Sequence, residues 1–425
     1  MKTLLQININ ANIGSTGRIA EQIGMLAIKE GWRSIIAYGR EKRNSASELI
    51  KINSRWSILW HVFLSHVFDG DGSGSYFATR RLIKRLERIK PDLIHLHIIH
   101  DSFINYKLLF SYISKHDIPV VWTFHDCWAF TGHCTHFESI GCGKWIEGCC
   151  RCPAPHNYKK LEIFNFARCN YVNKKKSFLG AHNLTLVSVS KWVDNCVSKS
   201  FLSSVNHIVI NNGIDLTVFK PVVLDRAVIP DYLSLYIQQI IEASSGGRIN
   251  VLGVAANWSN DKGLNEFCEL ATDPIYQIIM VGVTPELANM LPDNIIKIGK
   301  VESPKDLALL YNYADVFLNP TYSDSYPTVN IESIACGTPV VTYRTGGSPE
   351  IIGSIVPEGY EECDCGIVVP KGDIQSLETA IKHAFANKNC FKEKCLYNAS
   401  NRFSKEERFS DYIKLYNTLI DLSDN

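Results

Sequence analysis

Two series of short apolar runs, separated by stretches with helical spacing, leave this chain few ways to fold. The first series occupies residues 4–9, 34–38, 93–96, 120–124 and 184–189, with helical stretches at 19–30 and 79–89 between them. The second begins at Asn250 and runs through 251–255, 277–281, 295–298, 316–319, 339–342 and 366–369. Runs that are apolar throughout, rather than alternating, suit strands buried on both faces of a parallel sheet. The class expected is therefore α/β, with two parallel-sheet halves and ligands at the carboxyl ends of the strands. At 425 residues the chain also exceeds what one core usually supports. Asn211-Asn212-Gly213-Ile214-Asp215 is a turn cluster between the halves, and the sequence from there to about residue 247 reads as irregular. The expected domains are residues 1–210, with a cysteine-rich insertion at 127–153, then 211–402, with a helix at 403–425.

Composition narrows the function. Hydrophobic residues make up 46% and charged residues 20%, as in an ordinary globular enzyme. A net charge of +1, without a basic arm or an RNA-binding signature, argues against nucleic acid as a partner. The first ten residues are broken by polar side chains and lack the apolar core of a signal peptide. No apolar run reaches the roughly 18 residues that a membrane span needs. A cytoplasmic protein is expected, with its 14 cysteines reduced.

The densest chemistry lies at 321–341. Asp324 and Glu332 stand eight residues apart across a turn that opens a helix, with Pro327 suited to the first helical turn. The amides of that turn have no intrahelical partner, and the helix dipole favours an anion there. Tyr326, Pro327, Thr328 and Val329 thus form a natural phosphate cradle. Glu332, about two turns on, is placed to hold a polyol such as ribose, and Asp324 to hold a second one. A diphosphate between two sugars describes a nucleotide-sugar.

This block, running on into Ala335-Cys336-Gly337-Thr338-Pro339-Val340-Val341, resembles the donor-site signature of the family-4 retaining glycosyltransferases of GT-B fold. The first acid is Asp324 where the family usually has Glu. The resemblance implies two Rossmann-like domains facing an interdomain cleft, with 403–425 crossing back to the first domain. It implies transfer of a hexose from a UDP- or GDP-linked donor to a glycan or lipid-linked acceptor. Surface polysaccharide assembly, such as capsule or O-antigen, is the setting expected. Asn257-Trp258-Ser259-Asn260-Asp261-Lys262-Gly263 matches the family's diphosphate loop at Lys262, but Asn257 replaces its Arg. Asn257 donates only neutral hydrogen bonds, roughly half as strong as charge-assisted ones. Arg18 and Arg344 are the candidates to compensate. Gly14 and Gly17, in the loop after the first strand, permit close backbone approach to an anion or sugar. The resemblance also implies that Gly299 marks the base site and that His125, at a strand's carboxyl end, makes the catalytic contact near the anomeric centre, with Asp126 as its alternative structural partner. No catalytic metal is expected, because helix-end amides and Lys262 supply the leaving-group stabilisation. Two rival readings are a nucleotide-sugar epimerase of the same fold and a non-catalytic sugar-binding scaffold.

Outside that block, His95, His97 and His100 read as supporting or acceptor-side groups. Cys134, Cys142, Cys149 and Cys152 form a candidate structural zinc site, with Cys150, His133 and His136 as substitute ligands and Cys127 as a packed thiol. Trp56, Leu59, Trp60, Phe63, Leu64 and Phe68 can make an apolar helical face. Lys159, Lys160 and Lys174 to Lys176 add positive charge, which together suits peripheral contact with an anionic membrane. A buried helix with solvated loops is the alternative.

Overall fold

The computed structural model describes residues 1–68, 72–153, 166–224, 228–354, 356 and 358–423. The chain divides into two compact units, Met1–Asn212 with Glu406–Asn425, and Gly213–Lys405.

The first unit carries a seven-stranded sheet of β1 (Thr3–Asn8), β2 (Arg33–Tyr38), β3 (Glu48–Lys51), β4 (Leu93–Leu96), β5 (Val120–Phe124), β6 (Leu184–Ser188) and β7 (Asn206–Val209). Their order is β3-β2-β1-β4-β5-β6-β7, all parallel. The central strands are buried along their whole length, as their unbroken apolar runs require. The edge strands β3 and β7 were not read from the sequence. Each is a four-residue segment with an exposed polar end, and edge positions tolerate such residues.

The second unit has β8 (Ile249–Val254), β9 (Tyr276–Val281), β10 (Ile296–Ile298), β11 (Val316–Asn319), β12 (Val340–Tyr343), β13 (Glu361–Cys363) and β14 (Gly366–Val369). The order is β10-β9-β8-β11-β12-β14-β13, parallel except for β13, which runs against β14. The segment expected to be irregular contains a helix, Asp231–Ser245. Leu233, Ile237, Ile240 and Ala243 recur at helical spacing and are buried, and Pro230 starts the helix. Its three-to-four period is a face turned to the unit's core, hidden in the sequence by exposed Tyr232, Leu235 and Ile241.

The helix Lys405–Ser423 belongs almost entirely to the first unit. Phe409, Tyr412, Ile413, Tyr416 and Ile420 join Leu4, Ile23, Trp32, Leu93 and Val121 in one core cluster. Tyr416 donates to, or accepts from, His95 Nδ1 at 2.6 Å, and the Tyr412 hydroxyl meets that of Thr123 at 3.1 Å.

Candidate donor site and catalytic groups

In both sheets the chain winds outward in opposite directions from a central strand pair, β1/β4 in the first and β8/β11 in the second. Loops leaving such a pair diverge and open a crevice at the carboxyl ends, where α/β ligands bind. The second unit's pair delivers two of the expected donor segments there. The loop after β8 carries Asn257 and Lys262, and the loop after β11 carries Asp324 and the start of the helix Thr328–Cys336.

Backbone contacts join these loops. The Tyr322 amide donates to the Asp261 carbonyl at 2.8 Å, and the Thr321 hydroxyl donates to the same carbonyl at 3.2 Å. Gly263 is required where it stands. Its φ is +78°, and a Cβ there would come within 2.3 Å of Pro320 Cγ and 2.9 Å of its carbonyl oxygen. With the loops joined, Lys262 Nζ pairs with Asp324 Oδ2 at 2.9 Å and reaches Thr321 Oγ1 and Ser323 O at 3.4 Å. Asp324 Oδ1 accepts the Tyr326 amide at 3.2 Å. The two groups expected to grip a donor are thus neighbours, at the entrance to a helix whose first-turn amides include Thr328 and Val329. Pro327 stands one place earlier than expected, as the residue preceding the helix. The Lys262–Asp324 pair keeps 36% and 24% of its side-chain surface exposed, so water screens it and exchanging the carboxylate for a phosphate oxygen costs little.

Glu332 is nearly buried and accepts the Tyr311 hydroxyl at 3.2 Å. Burial first, and then the neighbouring Glu332 charge, push the Tyr311 hydroxyl's pKa well up, so it remains a proton donor to the carboxylate. Asn257 and Gly299 are exposed, and the Gly299 carbonyl shares the Gly282 amide with Ile298. Arg344 does not supply a countercharge here. Its guanidinium donates to the carbonyls of Val356 at 2.7 Å and Gly359 at 3.1 Å and pairs with Glu361 at 3.3 Å, tying down its own loop.

In the first unit, Gly14 has φ +72° and opens the helix Gly14–Lys29, while Arg18 is exposed. A Cβ on Gly17 would approach Asn10 O at 3.2 Å and Asn12 N at 3.3 Å, so this glycine accommodates its own loop. His125 follows β5, but its partner is not Asp126. His97 Nδ1 lies 3.1 Å from His125 Nε2, with the rings stacked. Asp126 pairs instead with His100 Nε2 at 2.7 Å. His97, His100, Trp122, His125, Asp126 and Trp128 line one small cavity.

The hydrogen bonds fix a proton arrangement. The Gln6 amide nitrogen donates to the Ala20 carbonyl at 2.8 Å, which turns Gln6 Oε1 toward His97 Nε2 at 3.1 Å. An amide oxygen only accepts, so His97 carries its proton on Nε2 and accepts through Nδ1. His125 therefore donates from Nε2 and keeps Nδ1 as a bare acceptor. Burial holds His125 down to about 4 against the pull of Asp126, so it is neutral near pH 7. His97 and His95 are likewise lowered by burial and by neighbouring imidazoles. His100 behaves oppositely. Burial opposes its charge, but Asp126 and Asp101 raise it well above the usual range. The sequence reading missed Gln6 and Asn8, yet both are polar, alternate within an apolar strand and so share one face, a pattern that marks a buried polar row.

The cysteine-rich insertion brings His133, Cys134 and Cys152 together. Lys174 is not available as surface charge. Its ammonium is buried, 3.6 Å over the Trp128 ring, and donates to Trp128 O at 2.8 Å and Thr131 O at 3.2 Å. The helix Arg55–Phe68 exposes Trp56, Leu59, Trp60 and Phe63 on one side, and Leu64 is half-buried. Lys159, Lys160 and the Phe68 side chain lie outside the described residues. No helix among the described residues is long and apolar enough to cross a membrane.

Residues 28–218 match the family described as Glycosyltransferase Family 4, and residues 248–407 match Glycosyl transferases group 1. An Escherichia coli K12 protein named as a colanic acid biosynthesis glycosyl transferase is 23% identical over 363 residues, covering 82% of this chain and 85% of that one. Sucrose-phosphate synthase from Thermosynechococcus elongatus superposes with a TM-score of 0.68 at 16% identity, over 99% of this chain and 100% of its own. HepE of Anabaena, solved with UDP-glucose, gives 0.62 at 14% identity over 98% and 100%. With these matches spanning both units and the donor block in place, the chain belongs to the family-4 glycosyltransferases and has the GT-B fold.

Proposed function

We propose that the protein is a retaining hexosyltransferase that uses a nucleotide-diphosphate sugar and extends a glycan or lipid-linked acceptor in surface polysaccharide assembly. The observation that carries this reading is the Lys262–Asp324 pair at the entrance to the helix Thr328–Cys336, beside the β8/β11 crevice. Lys262 and the helix-end amides hold the diphosphate, Glu332 the ribose, and Asp324 hydroxyls of the sugar. His125 accepts a sugar hydroxyl through Nδ1. The acceptor oxygen bonds to the anomeric carbon as the bond to the diphosphate breaks, and the acceptor's proton leaves on the departing phosphate. No metal is assigned to this step, because protein cations and dipoles carry the leaving group's charge.

HepE's complex with UDP-glucose makes UDP-linked hexoses the first donors to test, with GDP-linked sugars next. The polysaccharide setting rests on the Escherichia coli relative's name. Transfer assayed over a donor panel, with the product anomer resolved, is expected to show one preferred donor and retained configuration. Inversion overturns the mechanism. Epimerised donor without transfer, or tight binding without turnover, replaces it by the epimerase or scaffold reading.

The acceptor's lipid link is supported by the exposed Trp56, Leu59, Trp60 and Phe63, with exposed Arg80, Arg81 and Lys84 on the following helix, Tyr76–Ile89. Exposed aromatic side chains, and cations exposed on the helix that follows in the chain, suit an anionic bilayer. Full-length protein is expected to co-sediment with phosphatidylglycerol vesicles and not with phosphatidylcholine ones. Trp60→Ser with Phe63→Ser is expected to abolish that binding, and equal sedimentation with both lipids overturns the assignment.

A further inference from the structure

Residues 127–153 follow the His125–Asp126 strand end with little regular structure, a single short turn of 3-10 helix at Trp128–Phe130. Aromatic packing covers part of the segment. Trp145 lies 5.3 Å from Phe130 and 4.8 Å from Phe137, ring centre to ring centre. The rest converges on sulfur and imidazole. A ring nitrogen of His133, Cys134 Sγ and Cys152 Sγ lie within 4.8 Å of one another, and Cys152 Sγ is 3.5 Å from His133 Nε2. Cys149, three residues before Cys152, accepts the backbone amide of Gly132 at 3.1 Å, so its sulfur is held beside the turn that carries His133. Sulfur and imidazole brought together in a loop with little regular structure are donors that a divalent cation binds directly, and its binding free energy then adds to folding.

We propose that His133, Cys134, Cys149 and Cys152 hold one zinc ion in a closed structural site. Three thiolates and an imidazole in a tetrahedral shell, with no position left for water, are a structural zinc set. The ligand set differs from the four-cysteine one expected from spacing, with His133 in place of Cys142. Three thiol protons leave to solvent on binding. The ion orders the loop from which Cys127 N donates to Thr135 O at 2.8 Å and Trp128 N donates to Asp126 Oδ1 at 2.9 Å. It thereby holds Asp126 against His100 and takes no part in bond making.

The test is elemental analysis of the full chain purified under reducing conditions. About one zinc per chain is expected. Cys134→Ser, Cys152→Ser and His133→Asn are expected to fall below roughly a tenth of that, while Cys150→Ser and Cys142→Ser retain it. Retention in His133→Asn with loss in Cys142→Ser overturns the histidine-containing set. Wild-type protein gives a measurement that does not depend on the variants folding. A strong chelator is expected to release the zinc, expose three thiols to a thiol reagent and lower Tm, with zinc and not magnesium restoring it. Negligible zinc in wild-type protein, with these thiols titrating freely or joined in a disulfide, overturns the site altogether.

Discussion

The carboxyl ends of the two sheets share a topology and differ in electrostatics. At the first, β4 and β5 run into His97 and His125, two imidazoles that burial keeps neutral, linked to one another and to Gln6 of β1. At the second, the loops after β8 and β11 end in an ion pair beside helix amides. A neutral acceptor suits sugar hydroxyls, whereas a part-exposed ammonium suits a diphosphate that arrives with its own charge. One α/β scaffold thus offers two chemistries, because the scaffold sets where loops emerge and the loop residues set what they carry.

The comparison is broken most forcefully at Lys262. Lys262→Ala is expected to lower turnover by about 10²–10³-fold, the usual effect of losing one group that stabilises a leaving anion. Lys262→Arg is expected to recover part of it, and Asp324→Asn to weaken donor binding as well as turnover. Steady-state kinetics with donor and acceptor both saturating make the check, and wild-type turnover in Lys262→Ala removes it from the diphosphate site.

Titration sharpens the contrast within the first unit. Unfolded chain protonates its histidines from about 6.5 downward, but His125 resists protonation to about 4. Stability is therefore lost as pH falls through this interval, on the order of 3 kcal/mol for His125 alone. His100 has the opposite sign. Its contribution is complete below about 6.5 and is lost as pH rises through its raised value. Calorimetric Tm profiles are expected to lose part of the acid limb in His125→Asn and part of the alkaline limb in His100→Gln. Parallel profiles for the two variants would remove the distinction.

His125→Ala is expected to lower kcat by about a hundredfold with little change in donor affinity, if its hydrogen bond strengthens in the transition state. Equal losses in binding and rate would make it a ground-state contact. The smallest effect is at Glu332. Glu332→Gln keeps an acceptor for Tyr311 and so the fold, while a charge-assisted bond worth roughly 1.5–3 kcal/mol is lost. Donor affinity is expected to fall about ten- to hundredfold by calorimetry, and unchanged affinity would take Glu332 out of the ribose site.

Much of this architecture was legible in the chain itself. Central strands announce themselves because burial on both faces demands unbroken apolar runs, and 120–124 and 316–319 coincide with β5 and β11. The donor block was legible for a related reason. Turn, helix start and both acids are contiguous, so local geometry alone brings Asp324 to the Tyr326 amide just ahead of the helix. Less was visible where a residue's role depends on its distant neighbours. The helix Asp231–Ser245 was read as irregular because its exposed face carries as many large apolar residues as its buried one.

Partner choice belonged to the tertiary structure. Sequence adjacency suggested Asp126 for His125, but parallel pairing of β4 with β5, Leu96 opposite Trp122, brings His97 alongside instead. The same long-range packing buried Lys174 on Trp128 and turned Arg344 toward its own loop. It also set Cys152 beside His133 and Cys134, a grouping that spacing alone does not give. Periodicity and local turns determine which elements form and which loops they present, since both act within a few residues. Which charges meet, and which imidazoles stay neutral, is decided only when sheet register and burial bring distant residues into one low-dielectric environment.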